Sequence, residues 1–495
     1  MPRVMDAIPQ PATTDLHFVV STDAEKQTPE LRKFIRSHCM LGKNRGKTLP
    51  QRKGKSRTTT AASRQLLPAT VPRKFGSDLS PVPFADAVEP RVVEVVLHFS
   101  SISKQVLFPL EPCIFFERRA ETWIAPLTLD PAYLHAMIFT SQYFFDAMLP
   151  RKFSPLNQRS LPHFLATVKL LRERLARDDD EARLSFTTAA AIMGLAGHAL
   201  WMGSCESARH HMEGLSNVVS LRGGIATFEQ NPKLLMEILR CDIGIALHSG
   251  SRPFFFNNSS SQESYPPRPN LKLLLKLQGL ATTDPQDPSA EAIHGMADEL
   301  AEIWKIMSEF CSVMNFAADS GRCISVQTLL ETVVWVMYRL IGMEFDAGTS
   351  DEAIRLGLLT FSCSAFLQWQ QLGMTYPPLI SAFRNCLTTI NLQQMRQPMV
   401  LWLFMVGATL LFDTTDDWWL KPALLAEMGL SEIRSWSEMQ HLLKSILWIG
   451  LIHDKPGKHV FDTTITYPES LTPDVSLASV ATSTSCTSPS KSLPE

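Results

Sequence analysis

Two adjacent helical patterns, over 204–222 and 232–248, constrain the fold of this chain more than any other feature. The apolar residues of the first pattern recur every three or four positions, at Ala208, Met212, Leu215 and Val219. This spacing places them on one face of a helix. Gly223 and Gly224 follow, and glycine favours the left-handed backbone that ends many helices. Pro232 suits the first position of the next helix. The sequence therefore predicts two helices joined by a short turn.

Similar helical patterns recur along the chain, whereas the alternation typical of strands is nearly absent. The one exception is a possible strand over 91–99. We therefore predict an all-α fold, a multi-helical array of antiparallel helices that covers residues 89–455. A Ser/Asn/Pro-rich stretch predicts a long loop near 254–289. Length alone also leaves room for more than one domain.

The two ends of the chain have the composition of disordered segments. Residues 1–88 are rich in Pro, Thr, Ser and basic residues, and residues 456–495 are rich in Ser, Thr and Pro. Within the first segment, Thr28 and Pro29 predict the start of a short helix near 28–41. Both ends are otherwise expected to be disordered.

The net charge of −2 conceals a basic arm attached to an acidic body, because residues 1–80 hold 15 Lys/Arg against 6 Asp/Glu. Between Arg32 and Arg57 there are ten basic residues and no acidic one. A flexible basic run of this kind indicates a nuclear localisation signal, non-specific contact with DNA phosphates, or simply a solvated segment. The residues that would make these contacts are Lys43, Arg45, Lys47, Arg52, Lys53, Lys55 and Arg57.

The first helix of the pair ends in Arg222-Gly223-Gly224. The second carries Arg240 and Asp242 and is followed by Gly250, Pro253 and Phe255. This pattern resembles a signature of the fungal-specific transcription factor family, in which a helix ending in Arg-Gly-Gly precedes one with an Arg-x-Asp pair, and Leu215, Val218 and Leu221 match it as well. An Ile-Arg-Ser-His-x-Met string at 35–40 resembles another element of the same family. A generic helical hairpin would share much of the spacing.

The resemblance implies a nuclear regulatory protein. It would act through an import receptor, transcriptional co-regulators or a small-molecule effector, and a homodimer is a further expectation. Family members that bind DNA usually carry a binuclear zinc cluster of six cysteines. Residues 1–88 contain only Cys39, so that cluster cannot form in this sequence. The alternatives are a helical scaffold or a helical enzyme whose site is assembled from distant residues.

Other site signatures are weak, and we predict no catalytic residues, metal site, cofactor or membrane span. The sequence GKNRGKT at 42–48 is one residue too short for a phosphate-binding loop. The histidines and cysteine at 198, 205, 210 and 211 lack the four-residue spacing of a zinc motif. The nine scattered cysteines are typical of reduced thiols in an intracellular protein.

The polar residues of the signature are expected to be structural. Asp242 is predicted to form an ion pair with Arg222 or, failing that, with Arg240, which would hold the two helices together. Three aspartates at 413, 416 and 417 precede a Trp-Trp pair and indicate either a helix N-cap or, less simply, a cation site.

Overall fold

A computed structural model describes residues 84–107, 110–115, 124–148, 156–255, 268–277, 295–367 and 374–467. Helices make up 77% of it, so the predicted all-α fold is confirmed. The basic run at 32–57, the helix expected near 28–41 and most of the C-terminal tail lie outside the described residues.

Eight helices of the described residues lead up to and include the signature pair. They are α1 (Pro90–Leu107), α2 (Pro126–Leu129), α3 (Pro131–Met148), α4 (Leu156–Ala176), α5 (Asp180–Arg183), α6 (Phe186–Trp201), α7 (Cys205–Arg222) and α8 (Pro232–Ser249). A 3-10 helix, Ile225–Gln230, joins α7 to α8.

The remaining helices complete the body. They are α9 (Lys272–Leu277), α10 (Asp298–Ser320), α11 (Val326–Gly342), α12 (Ser350–Phe366), α13 (Pro377–Thr389), α14 (Gln397–Leu410), α15 (Asp417–Leu430), α16 (Trp436–Ile446) and α17 (Gly450–Ile465). Three of them, α11, α12 and α16, begin at a side-chain cap. Ser435, for example, forms a capping box with Glu438 at the start of α16.

Helix α8 lies between the two halves of the body and contacts α6, α7, α11 and α13. Apart from Glu237, every residue from Lys233 to Leu247 is buried. The sequence predicted one apolar face for this helix. In the structure, helices from both halves of the body surround α8 and cover its polar side as well.

The prediction of a possible strand over 91–99 is wrong, because these residues belong to α1. Its valines favour strands by propensity. However, Val93, Val96 and Phe99 are spaced three apart and are buried, and α1 packs against α3. Tertiary packing therefore overrides the local preference.

Two predicted boundaries also need correction. Within the expected loop at 254–289, the described residues 268–277 include α9, and Leu271 is buried. The tail expected from 456 begins later, because α17 continues through Pro456 and Gly457 to Ile465. A Cβ atom at Gly457 would lie 2.7 Å from the ring of Trp448, so the bare glycine allows this helix to pack closely there.

Sheet structure in the described part of the chain is limited to a ladder of two short parallel strands. Strand β1 (Ile114–Phe115) pairs with β2 (Ile324–Ser325), and Ile114 lies opposite Ile324. The ladder links the segment after α1 to the turn between α10 and α11.

Candidate functional site

Several of the signature residues lie at the junction around α8, and Gly223 and Gly224 form the turn that ends α7 before it. Gly223 ends α7 with a left-handed φ of 110°, and Gly224 has a φ of 97°. The Gly224 N–H donates to the Val219 carbonyl at 2.9 Å, and the Gly223 N–H donates to the Ser220 carbonyl at 3.1 Å. These two bonds satisfy carbonyls at the end of the helix in the Schellman arrangement. The predicted positive φ is confirmed at both glycines.

Gly223→Ala is expected to lower the free energy of unfolding by about 1 kcal/mol, because a Cβ atom disfavours left-handed backbone. Gly214 provides a matched control within the same helix, since its φ is not positive and a Cβ there would meet no atom within 4 Å. Gly214→Ala should therefore raise stability by up to about 1 kcal/mol. Urea denaturation of both variants measures the difference, and equal effects at the two positions would contradict this account.

Arg222 does not pair with Asp242, so the first of the two predicted ion pairs is wrong. Its guanidinium donates to the backbone carbonyl of Leu184 and lies 4.0 Å from the centre of the Phe186 ring and 5.6 Å from that of Phe228. The planar cation therefore joins the end of α7 to the turn before α6 by stacking and a charge-assisted hydrogen bond.

Asp242 is 1% exposed and organises the chain that leaves α8. It accepts hydrogen bonds from the Phe254 N–H at 2.7 Å, the Phe255 N–H at 3.1 Å and the Tyr338 hydroxyl at 2.8 Å. Burial raises the pKa of Asp242 to about 6, although these three donors and the charge of Arg209 act in the opposite direction. Asp242 is thus an anchor for backbone, and the predicted arginine partner is replaced by neutral donors.

Arg240 is 1% exposed and holds another part of the junction. It donates to the carbonyl of Leu367 and lies 3.5 Å from Glu237, which also accepts from Lys233 at 3.1 Å. The predicted Arg240–Asp242 pair is therefore also wrong. On a helix, residues two apart point in different directions, whereas residues three and four apart are neighbours.

The apolar and turn residues of the signature have separate positions. Leu215 is fully buried, and Pro253 is buried in the chain that follows α8. Gly250 ends α8 with a left-handed φ of 65°. Leu221 is 73% exposed, so burial does not support the structural role that was predicted for it. It lies one residue before the end of α7.

The half-buried Ser364 and the buried His453 lie outside the signature and are close enough to resemble a catalytic pair. His453 Nε2 lies 2.7 Å from Ser364 Oγ, while His453 Nδ1 accepts the Ile449 N–H at 3.2 Å. Because Nδ1 is an acceptor, the ring proton is on Nε2, and this nitrogen donates to the serine. The Ser364 hydroxyl in turn donates to the Phe361 carbonyl at 2.6 Å.

This orientation is the reverse of the one that nucleophilic catalysis requires, in which the imidazole accepts the serine proton. Burial lowers the pKa of His453 to about 3, so the ring stays neutral and inside the protein at ordinary pH. The pair is therefore a structural link between α12 and α17 and does not support a serine hydrolase.

A contact between two histidines, His135 and His163, was also not expected from the sequence. His135 Nδ1 lies 2.7 Å from His163 Nδ1, and His135 Nε2 lies 3.1 Å from Asp86. The three residues join α3, α4 and the segment before α1. Both nitrogens of His135 therefore have partners. Burial lowers the pKa of His163, and the nearby charge of His135 lowers it further. No local signal identified the group, because its members are far apart in the sequence.

The described residues contain no group of three or more His, Cys, Asp or Glu side chains that could hold a metal ion. His198 packs edge-to-face against Phe139 and Tyr143. Asp416 accepts from Arg384 at 2.6 Å and from the Trp419 indole at 2.9 Å, and Asp417 pairs with Lys421 at 2.7 Å. The aspartates at 416 and 417 are thus occupied by cations of the protein itself.

Among the helices described, none combines the length and apolar character that crossing a bilayer requires. The chain matches no family model, and no curated protein or solved structure is significantly similar to it. The junction around α8 is therefore interpreted from its own contacts.

Proposed function

We propose that this chain is a nuclear regulatory protein of the fungal-specific transcription factor type, without a zinc-cluster DNA-binding module. The observation that carries the proposal is the arrangement of the signature residues around α8. Gly223 and Gly250 end helices with left-handed backbone, and Gly224 also has a positive φ. Arg240 and Asp242 are buried and bound to carbonyls and N–H groups from other segments. Burying a charge without partners is costly, so Arg240 and Asp242 each have a defined structural role at this junction.

The helical body is the regulatory part in this proposal, and it acts by binding co-regulator proteins or a small-molecule effector. The basic run at 32–57 supplies nuclear entry by binding an import receptor. Contact with DNA phosphates is a secondary role for the same run, and it would weaken steeply with salt. A homodimer of the helical body remains part of the proposal.

The full chain fused to a fluorescent protein is expected to be nuclear, and changing Arg45, Lys47, Arg52, Lys53 and Lys55 to alanine should move it to the cytoplasm. Import receptors bind such runs through their positive charges, and this change removes half of the ten in the run. Fluorescence microscopy gives the ratio of nuclear to cytoplasmic signal, which should fall several-fold.

The matched control replaces only Lys47, Lys53 and Lys55 with arginine, which keeps every charge and should leave the fusion nuclear. A second readout separates a regulator from a scaffold. Tethered to a reporter promoter through a foreign DNA-binding domain, the full chain should change transcription several-fold. A fusion that is cytoplasmic without any substitution, or that is nuclear but leaves the tethered reporter unchanged, would contradict the proposed function.

A further inference from the structure

Cys113 and Cys323 meet at the parallel ladder although they are distant in sequence. Each cysteine immediately precedes a strand, and the register pairs Ile114 with Ile324, the residues that directly follow them. The Cys323 sulfur lies 3.5 Å from the carbonyl oxygen of Pro112, the residue before Cys113. The fold therefore brings the two thiols to the same end of the ladder.

The spacing of the two backbones suits a disulfide bond. Neighbouring strands are about 4.8 Å apart. The Cα atoms of disulfide-bonded cysteines lie roughly 4.4–6.8 Å apart. Both cysteines are free thiols in the structure. A bond between them would therefore require rotation of side chains and only small movements of the backbone.

The two thiols differ in their access to solvent. Cys323 is exposed, and Cys113 is buried. Burial raises the pKa of the Cys113 thiol, and the negative charge of a Cys323 thiolate raises it further. An oxidant in solution therefore reacts first with Cys323.

We propose that Cys113 and Cys323 form a redox-responsive disulfide that covalently joins β1 to β2. The oxidant is a small disulfide such as oxidised glutathione. The Cys323 thiolate attacks one glutathione sulfur, which forms a mixed disulfide and releases one reduced glutathione. The Cys113 thiolate then attacks the Cys323 sulfur and releases the second. Two protein thiols are oxidised, and one glutathione disulfide is reduced to two thiols.

The bond would tie the segment after α1 to the turn before α11. The cross-link closes a loop of about 210 residues, so it restricts the unfolded chain strongly and should raise stability. Intracellular disulfides of this kind are usually transient sensors of oxidation. The inference rests on the ladder alone and does not depend on the proposed function.

The test uses the purified full chain, incubated in parallel with reduced and with oxidised glutathione. After oxidation, peptide mapping without reductant should recover one cross-linked species that contains Cys113 and Cys323. The count of reactive thiols should fall by two. The melting temperature should rise by several degrees and should return to its starting value after treatment with dithiothreitol.

Cys323→Ser should abolish the cross-linked species and the rise in melting temperature together. Cys205→Ser is the matched control, because Cys205 is partly exposed and has no part in the ladder, and it should leave both effects unchanged. The proposal would be overturned if Cys323 were recovered only as its mixed disulfide with glutathione. A disulfide between Cys323 and Cys39, Cys486 or a second molecule would also overturn it. An unchanged thiol count would do the same.

Discussion

Replacing Asp242 with alanine is expected to lower the free energy of unfolding at pH 6 by about 3 kcal/mol. The change removes the acceptor of three donors, namely the Phe254 and Phe255 N–H groups and the Tyr338 hydroxyl. Leaving a buried donor unsatisfied costs about 1–3 kcal/mol for each group. The total for three donors is partly offset, because the variant no longer has to bury a carboxyl group. Urea denaturation followed by circular dichroism measures the change, and abundance in cells should fall with it.

Asp462→Ala is the matched control, because Asp462 pairs with Lys458 at 2.6 Å and both side chains are about half exposed. Exposed pairs of this kind contribute at most about 0.5 kcal/mol. The variant should therefore unfold close to the unmodified protein. If Asp242→Ala were as stable as this control, Asp242 would not anchor the chain after α8, and the architectural interpretation of the signature would fail.

Asp242→Asn separates the charge of the carboxyl from its shape. Burial raises the pKa of Asp242 from 3.8 to about 6. Between these two pH values, the carboxyl keeps its proton in the folded protein but has lost it in the unfolded chain. The resulting stabilisation is fully present below about pH 4 and is lost as pH rises through about 6. The stability of the unmodified protein minus that of Asp242→Asn should therefore fall by on the order of 2–3 kcal/mol between pH 4 and pH 7. A difference that is constant with pH would contradict this titration.

Arg240→Met is expected to have a second large effect, again about 3 kcal/mol. Methionine keeps much of the apolar stem, so the change mainly removes the guanidinium. The Leu367 carbonyl then loses a donor, and Glu237 keeps Lys233 but loses its other cation. Leaving the buried Leu367 carbonyl without its charged donor costs about 1–3 kcal/mol, and the weaker neutralisation of Glu237 adds to the loss. Chemical denaturation at neutral pH measures the loss.

Arg339→Met is the control for Arg240→Met, because Arg339, like Arg240, forms an ion pair with a glutamate. Arg339 additionally packs over an aromatic ring. Its guanidinium lies 3.3 Å from Glu299 and 4.4 Å from the centre of the Trp335 ring, but its side chain is one-third exposed. Solvent weakens such a pair, so the expected loss is below about 1 kcal/mol. Equal losses for the two arginines would show that burial of Arg240 does not decide its contribution.

The features that the sequence determined are those with local causes. The turn at Gly223 and Gly224 needs positive φ angles at the end of α7, which glycine adopts most easily. The start of α8 is set by Pro232 and by its cap, Asn231. The apolar spacing of α7 correctly predicted its buried face. Hydrogen bonds and side-chain contacts within three or four residues act through the helix itself, so they can be inferred without knowledge of the fold.

Only the tertiary structure decided which groups the buried polar residues bind. Asp242 meets the hydroxyl of Tyr338, a residue 96 positions away, and Arg240 meets a carbonyl 127 positions away. The sequence indicated that Asp242 and Arg240 carry opposite charges, and it favoured pairing on that basis. It could not show that α11 and the end of α12 pack against α8 and offer neutral partners. A buried charge is satisfied by whichever donors or acceptors the packing brings within reach, and that packing arises from the whole core.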